Sequence, residues 1–269
     1  MSMSAIYWQG TGKHVLTHEK FPRASRYAPE WVFKNEMGPN PLWLTERLCG
    51  KLKLEAGMRV LDLGCGRGLS SVFLAKEYDV QVWALDLWIR PSENLSQFAL
   101  ARVTDKVFPI HAEAHTLPFA HEFFDCIISI DAYHYFGTDL TYMGYLAPFV
   151  KPRGQIGIVV PGLHQPLPTP LPAHLAEKQA HGSTFWTWDM CTFQTATWWH
   201  DLWSHYPFFD VREAQAMPDG GDIWLDWEKA KSGARETTFP ADVEVLASDE
   251  NRFLTFVEAI GQRTACLSS

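Results

Sequence analysis

The chain lacks an excess of positive charge: 23 lysines and arginines stand against 31 aspartates and glutamates, a formal net charge of −8. Without a basic footprint, nucleic acid and anionic membrane surfaces are not expected partners. Long hydrophobic runs are missing too, and nothing approaches the roughly eighteen consecutive apolar residues of a membrane-spanning helix. Paired cysteines are absent: Cys49, Cys65, Cys126, Cys191 and Cys266 form an odd, scattered set with no C-x-x-C. That pattern favours reduced thiols in the cytoplasm over disulfides or a zinc site. The histidines are not grouped at ligand spacing, so no metal is expected. The opening Met-Ser-Met-Ser-Ala-Ile-Tyr-Trp has no basic region leading into an apolar stretch, so no signal peptide is expected. What is left is an ordinary globular composition, 46% apolar and 20% charged, over 269 residues. This length suits one α/β domain with an elaboration, working as a monomer or homodimer.

Against that background Val60-Leu61-Asp62-Leu63-Gly64-Cys65-Gly66-Arg67-Gly68 stands out. It reads as a buried strand, then a tight glycine turn that opens a helix. Gly64 and Gly66 remove Cβ atoms where the backbone must bend and a ligand can lie close. The helix that follows turns its free N–H groups and positive dipole end toward that ligand. A plain strand–turn–helix is the bland alternative. The dinucleotide fingerprint G-x-G-x-x-G fails, because its third glycine position is Leu69. Asp62 would also repel a pyrophosphate, whereas it suits a ligand bearing an ammonium group. An NAD(P)-dependent oxidoreductase is therefore the weaker reading. The segment resembles the first motif of class I S-adenosylmethionine-dependent methyltransferases.

Two further landmarks follow in order. Val80-Gln81-Val82-Trp83-Ala84-Leu85-Asp86 is a second apolar run ending in an acid, which spacing places at the tip of the neighbouring parallel strand. A carboxylate there can accept from both hydroxyls of a ribose, in either cofactor class. Phe108-Pro109-Ile110-His111-Ala112-Glu113-Ala114, with Leu117-Pro118-Phe119 close behind, is similar to the third strand and exit loop of the methyltransferase family. The resemblance implies that S-adenosyl-L-methionine lies against Asp62, Gly64, Cys65 and Gly66, with Asp86 and Leu87 at the next strand end. Glu113 would then accept from the adenine amine, and the Ala114 N–H would donate to the ring. The family more often has Asp where this chain has Glu113.

The rest of the chain organises around these motifs. Strands at about 58–63, 80–85, 107–112, 125–130 and 155–160 alternate with helical patterns at 68–77, 91–103 and 139–150. That alternation predicts βαβ units and a parallel sheet covered on both faces. The expected fold is a Rossmann-like, doubly wound α/β sheet of seven mostly parallel strands, with residues 252–262 as an antiparallel closing strand implied by the family. Within one domain spanning 1–269, residues 1–57 form an N-terminal helical cover. Residues 58–160 form the cofactor-binding core and 196–269 complete the sheet. Asn40-Pro41 supplies a helix start, Asn as N-cap and Pro at the first position. Related enzymes close this leading region over the cofactor, which brings Met37-Gly38-Pro39-Asn40 within reach of it. Residues 161–195 begin with five prolines in twelve residues and lead into a tryptophan-dense region; they read as a lid inserted after the fifth strand. Trp186, Trp188, Trp198, Trp199, Trp203, Trp224 and Trp227 are either core or an aromatic wall for an apolar or cationic acceptor.

The acceptor side is expected after the fourth strand, in Ser129-Ile130-Asp131-Ala132-Tyr133-His134-Tyr135-Phe136. This run resembles small-molecule methyltransferases. It has neither the Asn/Asp-Pro-Pro-Tyr of DNA amino-methyltransferases nor the paired glutamates of the protein-arginine type. His134 and Tyr133 are the expected catalytic contacts; an imidazole suits proton removal near neutral pH. His134 packing the next helix is the alternative. Asp131 either touches cofactor or acceptor, or caps the following turn. The implied activity is methyl transfer to a small molecule through O, N or S. A non-catalytic S-adenosylmethionine-binding module is the rival from a different class.

Overall fold

The computed structural model describes residues 6–180, 182–234 and 241–265, so Cys266 lies outside the described residues. Two helices lead the chain, α1 (Pro29–Asn35) and α2 (Pro41–Cys49). The order then runs β1 (Arg59–Leu63), α3 (Leu69–Tyr78), β2 (Gln81–Asp86), α4 (Pro91–Ala101), β3 (Val107–His111) and β4 (Phe124–Ile130). After α5 (Tyr142–Leu146) come β5 (Val150–Leu163), α6 (Ala173–Ala176), β6 (Gln194–Thr195) and α7 (Ala196–Ser204). The chain finishes with β7 (Phe209–Ala216), α8 (Gly220–Ser232), α9 (Val243–Asp249) and β8 (Leu254–Arg263).

The sheet order is β3-β2-β1-β4-β5-β8-β7. Strands β1 to β5 pair in parallel, and β8 runs antiparallel between β5 and β7. This is the expected doubly wound arrangement of seven strands. It gains an eighth, two-residue strand, β6, which pairs with Gly162 and Leu163 of β5. Successive side chains alternate across the pleat. Val60 belongs to the core on one face of the sheet, with Leu48, Val72, Phe73, Phe98 and Trp227. Leu61 and Leu63 belong to the core on the other, with Tyr142, Leu146, Trp199 and Trp203. These three β1 residues are fully buried, worth about 1.5–3 kcal/mol each.

Two boundaries differ from the sequence pattern. Instead of a helix over 139–150 there is α5, five residues long, then a 3₁₀ turn over Ala147–Phe149 that takes in Pro148. Strand β5 continues past Val160 through Pro161, Gly162 and Leu163. Proline is tolerated because of its direction. The Val159 carbonyl accepts from the Asp131 N–H on the β4 side. Pro161, two residues on, presents its nitrogen to that same side, where β4 has already ended. The Asn40 cap forms as patterned: its Oδ1 accepts from Leu42 N at 3.0 Å and Trp43 N at 3.2 Å. The tryptophans divide. Trp199, Trp203, Trp224 and Trp227 are core, whereas Trp188 is 88% exposed. Among the described residues no helix is long and apolar enough to cross a membrane.

Candidate active site

At the carboxyl end of β1 the chain turns through Gly64, Gly66 and Gly68, all at positive φ (78°, 52° and 77°). A Cβ on Gly64 would sit 2.5 Å from the Ala132 Cβ, and one on Gly66 would sit 3.0 Å from Met37 Sδ. The turn thus demands glycine for its dihedrals and for its neighbours alike. Gly64 and Cys65 donate to the Leu85 carbonyl, tying the turn to β2.

Asp62 is completely buried. Its Oδ2 accepts from the Ser70 and Ser71 hydroxyls, both at 2.6 Å, which anchors the first turn of α3 to β1. Its Oδ1 has no partner. Burial pushes the Asp62 carboxyl up to about 6, with the two serines pulling the other way and the Asp86 charge adding to the rise. A folded-state value above the ordinary ~3.9 means the native protein holds the proton more tightly than the unfolded chain. Stability from this group is therefore greatest at low pH and is lost as pH rises from about 4 to about 6, by roughly 3 kcal/mol. Denaturant unfolding at pH 4.5 and 7.5 should show Asp62→Asn flattening that dependence relative to the wild type. The same pH dependence in both proteins would rule Asp62 out as its source.

Asp86, 7% exposed, is a wiring point. Its Oδ2 accepts from Gly66 N at 2.8 Å, and its Oδ1 accepts from Trp88 N at 2.8 Å and Ile89 N at 2.9 Å. Leu87 is 49% exposed, and its carbonyl meets His111 Nε2 at 2.8 Å. Asn94 Nδ2 donates to the Gly66 carbonyl at 2.9 Å, and burial pushes the adjacent Cys65 thiol well up. At the end of β3, Glu113 accepts from the His115 N–H and contacts His115 Nδ1, each at 2.7 Å. Burial pushes the Glu113 carboxyl upward, but these hydrogen bonds prevail and hold it below its ordinary range. The Ala114 carbonyl accepts from the Tyr142 hydroxyl at 3.1 Å.

Asp131 follows β4 directly, in the left-handed region at φ 55°. A Cβ on Gly38 would collide with its Oδ2, so the segment after α1 lies directly over it. Fully buried Glu36 lies in the same place. Burial, reinforced by the Glu36 charge, pushes the Asp131 carboxyl well up.

The next two residues are not where the sequence places them. The 3₁₀ turn over Tyr133–Tyr135 sends Tyr133 into the core, among Phe136, Tyr142, Trp199 and Trp203. Its expected contact with the acceptor is corrected accordingly. His134 is 1% exposed, edge-on to Phe193, and its Nδ1 has no partner. Burial pushes its imidazole down to about 3, against a small opposing pull from Asp189. So weak a base is poorly matched to proton removal near neutral pH. Residues that sequence reasoning missed are Ser70 and Ser71, which serve Asp62, and Glu36, which faces Asp131 from 95 positions upstream.

The parallel sheet, the glycine turn at its first strand and the acids at successive strand ends make up a Rossmann-like, doubly wound α/β domain. A family model described as a methyltransferase domain matches residues 60–154. The chain is 31% identical over 116 residues to 27-O-demethylrifamycin SV methyltransferase of Amycolatopsis mediterranei, covering 43% of each chain. It thus spans less than half the length of that curated relative. Geranyl diphosphate C-methyltransferase from Streptomyces coelicolor A3(2) has the same fold, with a TM-score of 0.62 and 13% identity, over 82% of this chain and 79% of that one. The [4+2]-cyclase SpnF superposes with a TM-score of 0.63 at 12% identity, over 83% of this chain and 81% of that one. The family match is thus confined to residues 60–154, and the solved structures share the fold of the chain as a whole.

Proposed function

We propose that this protein transfers a methyl group from S-adenosyl-L-methionine to a small-molecule acceptor. The observation that carries this reading is the orphaned, fully buried Asp62 Oδ1 behind a glycine turn held at positive φ. A buried carboxylate oxygen without a partner is costly unless a donor completes it, and the cofactor's ammonium is such a donor. Asp62, Gly64, Cys65 and Gly66 would hold the amino-acid end, Asp86 and Leu87 the ribose, and Glu113 and Ala114 the adenine. When bound, the cofactor supplies the electrophilic methyl carbon. The chain's task is to align an acceptor with it and exclude water.

Residues 161–195 cover the acceptor side in this reading, with α6 clasped by His174 Nε2 against Asp249 Oδ1 at 2.9 Å. His134 and Phe193 form wall; Asp131 faces the reaction. The protein works in the cytoplasm, as a monomer or homodimer, on neither nucleic acid nor membrane. S-adenosylhomocysteine should raise the melting temperature, because it binds only the native state, while NAD and NADP leave it unchanged. A shift with NAD and none with S-adenosylhomocysteine would overturn the proposal. The same fold carries the [4+2]-cyclase above. Tritium transfer from methyl-labelled cofactor therefore separates a transferase from a domain that binds without turnover.

A further inference from the structure

We infer that His115 is a positioning residue for the cofactor's base. It fixes the Glu113 carboxylate as an acceptor for the exocyclic amine of adenine, so that the chain discriminates adenine from a 6-oxo purine. This rests on the cofactor reading above, which gives the adenine to Glu113 and Ala114.

Strand β3 lies at the edge of the sheet. Asp86, at the end of β2, is held by backbone N–H groups on both of its oxygens. Glu113 has no further strand on its outer side to supply such donors, so what orients it must come from its own loop. The backbone of that loop is well fixed. The Ala112 N–H donates to the Asp86 carbonyl at 3.3 Å, and the Glu113 carbonyl accepts from Thr116 N at 3.0 Å, closing a turn. Two tyrosines of α5 grip the turn: the Tyr142 hydroxyl donates to the Ala114 carbonyl at 3.1 Å, and the Tyr145 hydroxyl accepts from the Leu117 N–H.

The Glu113 side chain is the loose part. It is 40% exposed, and holding a glutamate in one rotamer costs more side-chain entropy than holding most residues. His115 does the holding. Its backbone N–H donates to Glu113 Oε2 and its Nδ1 meets Oε1, each at 2.7 Å. An ionised carboxylate only accepts, so Nδ1 carries the hydrogen in that contact. The imidazole is itself set edge-on to Tyr142, with ring centroids 4.9 Å apart at 70°. One tyrosine therefore grips the loop backbone and orients the ring that orients Glu113. Burial pushes the Glu113 carboxyl upward, but the His115 donors, with a smaller pull from the Ala114 N–H, hold it below its ordinary range and keep it ionised.

A carboxylate has about four lone-pair sites and nothing to donate. His115 takes one site on each oxygen, and what remains can only accept. An exocyclic amine completes it, whereas a carbonyl oxygen at the same ring position would face it as a second acceptor.

S-inosylhomocysteine is the probe, because it carries the 6-oxo group where S-adenosylhomocysteine carries the amine. Calorimetric titration of the wild type should show S-adenosylhomocysteine binding at least about tenfold more tightly than S-inosylhomocysteine. His115→Phe keeps a ring against Tyr142 but has no Nδ1; there the preference should fall below about threefold, with S-inosylhomocysteine affinity little changed. His115→Asn places an amide N–H close to where Nδ1 stands and should restore most of the preference. Glu113→Ala should abolish it. A residue that merely supports the loop would weaken both ligands equally when replaced, and that result in His115→Phe overturns the inference. So does a preference that survives in His115→Phe or is absent from the wild type. Failure of both ligands to bind the wild type would instead remove the cofactor reading beneath it.

Discussion

Asp86→Ala should lower affinity for S-adenosylhomocysteine by at least about a hundredfold, close to 3 kcal/mol. Two losses add. The variant gives up a charged acceptor for the ribose hydroxyls, and it releases the three N–H groups of Gly66, Trp88 and Ile89 that now converge on the carboxylate. Without that anchor Gly66 no longer has a reason to hold its positive φ, and the turn that cradles the ligand loosens. Asp86→Asn keeps one acceptor oxygen and should fall between wild type and alanine. Titration calorimetry on the three proteins measures the series. Equal affinities would take Asp86 out of the cofactor site.

The largest effect on stability should come from Asp249→Ala. Asp249 is 1% exposed, and its Oδ2 accepts from Arg252 N at 3.0 Å and from Phe253 N and Leu254 N at 2.9 Å. The intervening Glu250 and Asn251 both lie in the left-handed region, at φ 51° and 55°. One carboxylate therefore shapes the reversal that launches β8, while its other oxygen meets His174. Removal strands buried donors at about 1–3 kcal/mol each; with partial relaxation the loss should total roughly 3–5 kcal/mol. The melting temperature should drop by roughly 10 °C. A change under about 2 °C would mean the reversal is held by other contacts.

How much of this was legible in the sequence depends on the range over which each signal acts. The glycine turn and the apolar runs of β1, β2 and β4 are local patterns, and the structure puts them within a residue or two of their expected places. Pro161 misled because a proline reports only on its own nitrogen; which side of the strand that nitrogen faces is decided by where β4 stops. Strand β6 is two residues long and has no pattern of its own. At the site, the strand-end acids were visible as acids, but their partners were not. Ser70 and Ser71 look like ordinary polar helix residues until β1 is beside them. Glu36 meets Asp131 only when the leading segment crosses the turn. Tyr133 and His134 are neighbours of a strand end in sequence, yet a single 3₁₀ turn rotates the tyrosine into the core.

Among the described residues β8 is the last strand in chain order and sits second from the edge, and β7 pairs with β8 alone. During synthesis β7 therefore leaves the ribosome with its backbone hydrogen-bonding groups uncommitted, and the open side of β5 waits alongside it. The first five strands can assemble as they emerge, each on a neighbour already present. The remainder of the sheet forms only when residues 254–263 arrive and zip between two waiting edges. Assembly of the glycine turn is thus separated in time from closure of the sheet. The interval between them is when an exposed, apolar β5 edge would be a target for chaperones or for a second nascent chain.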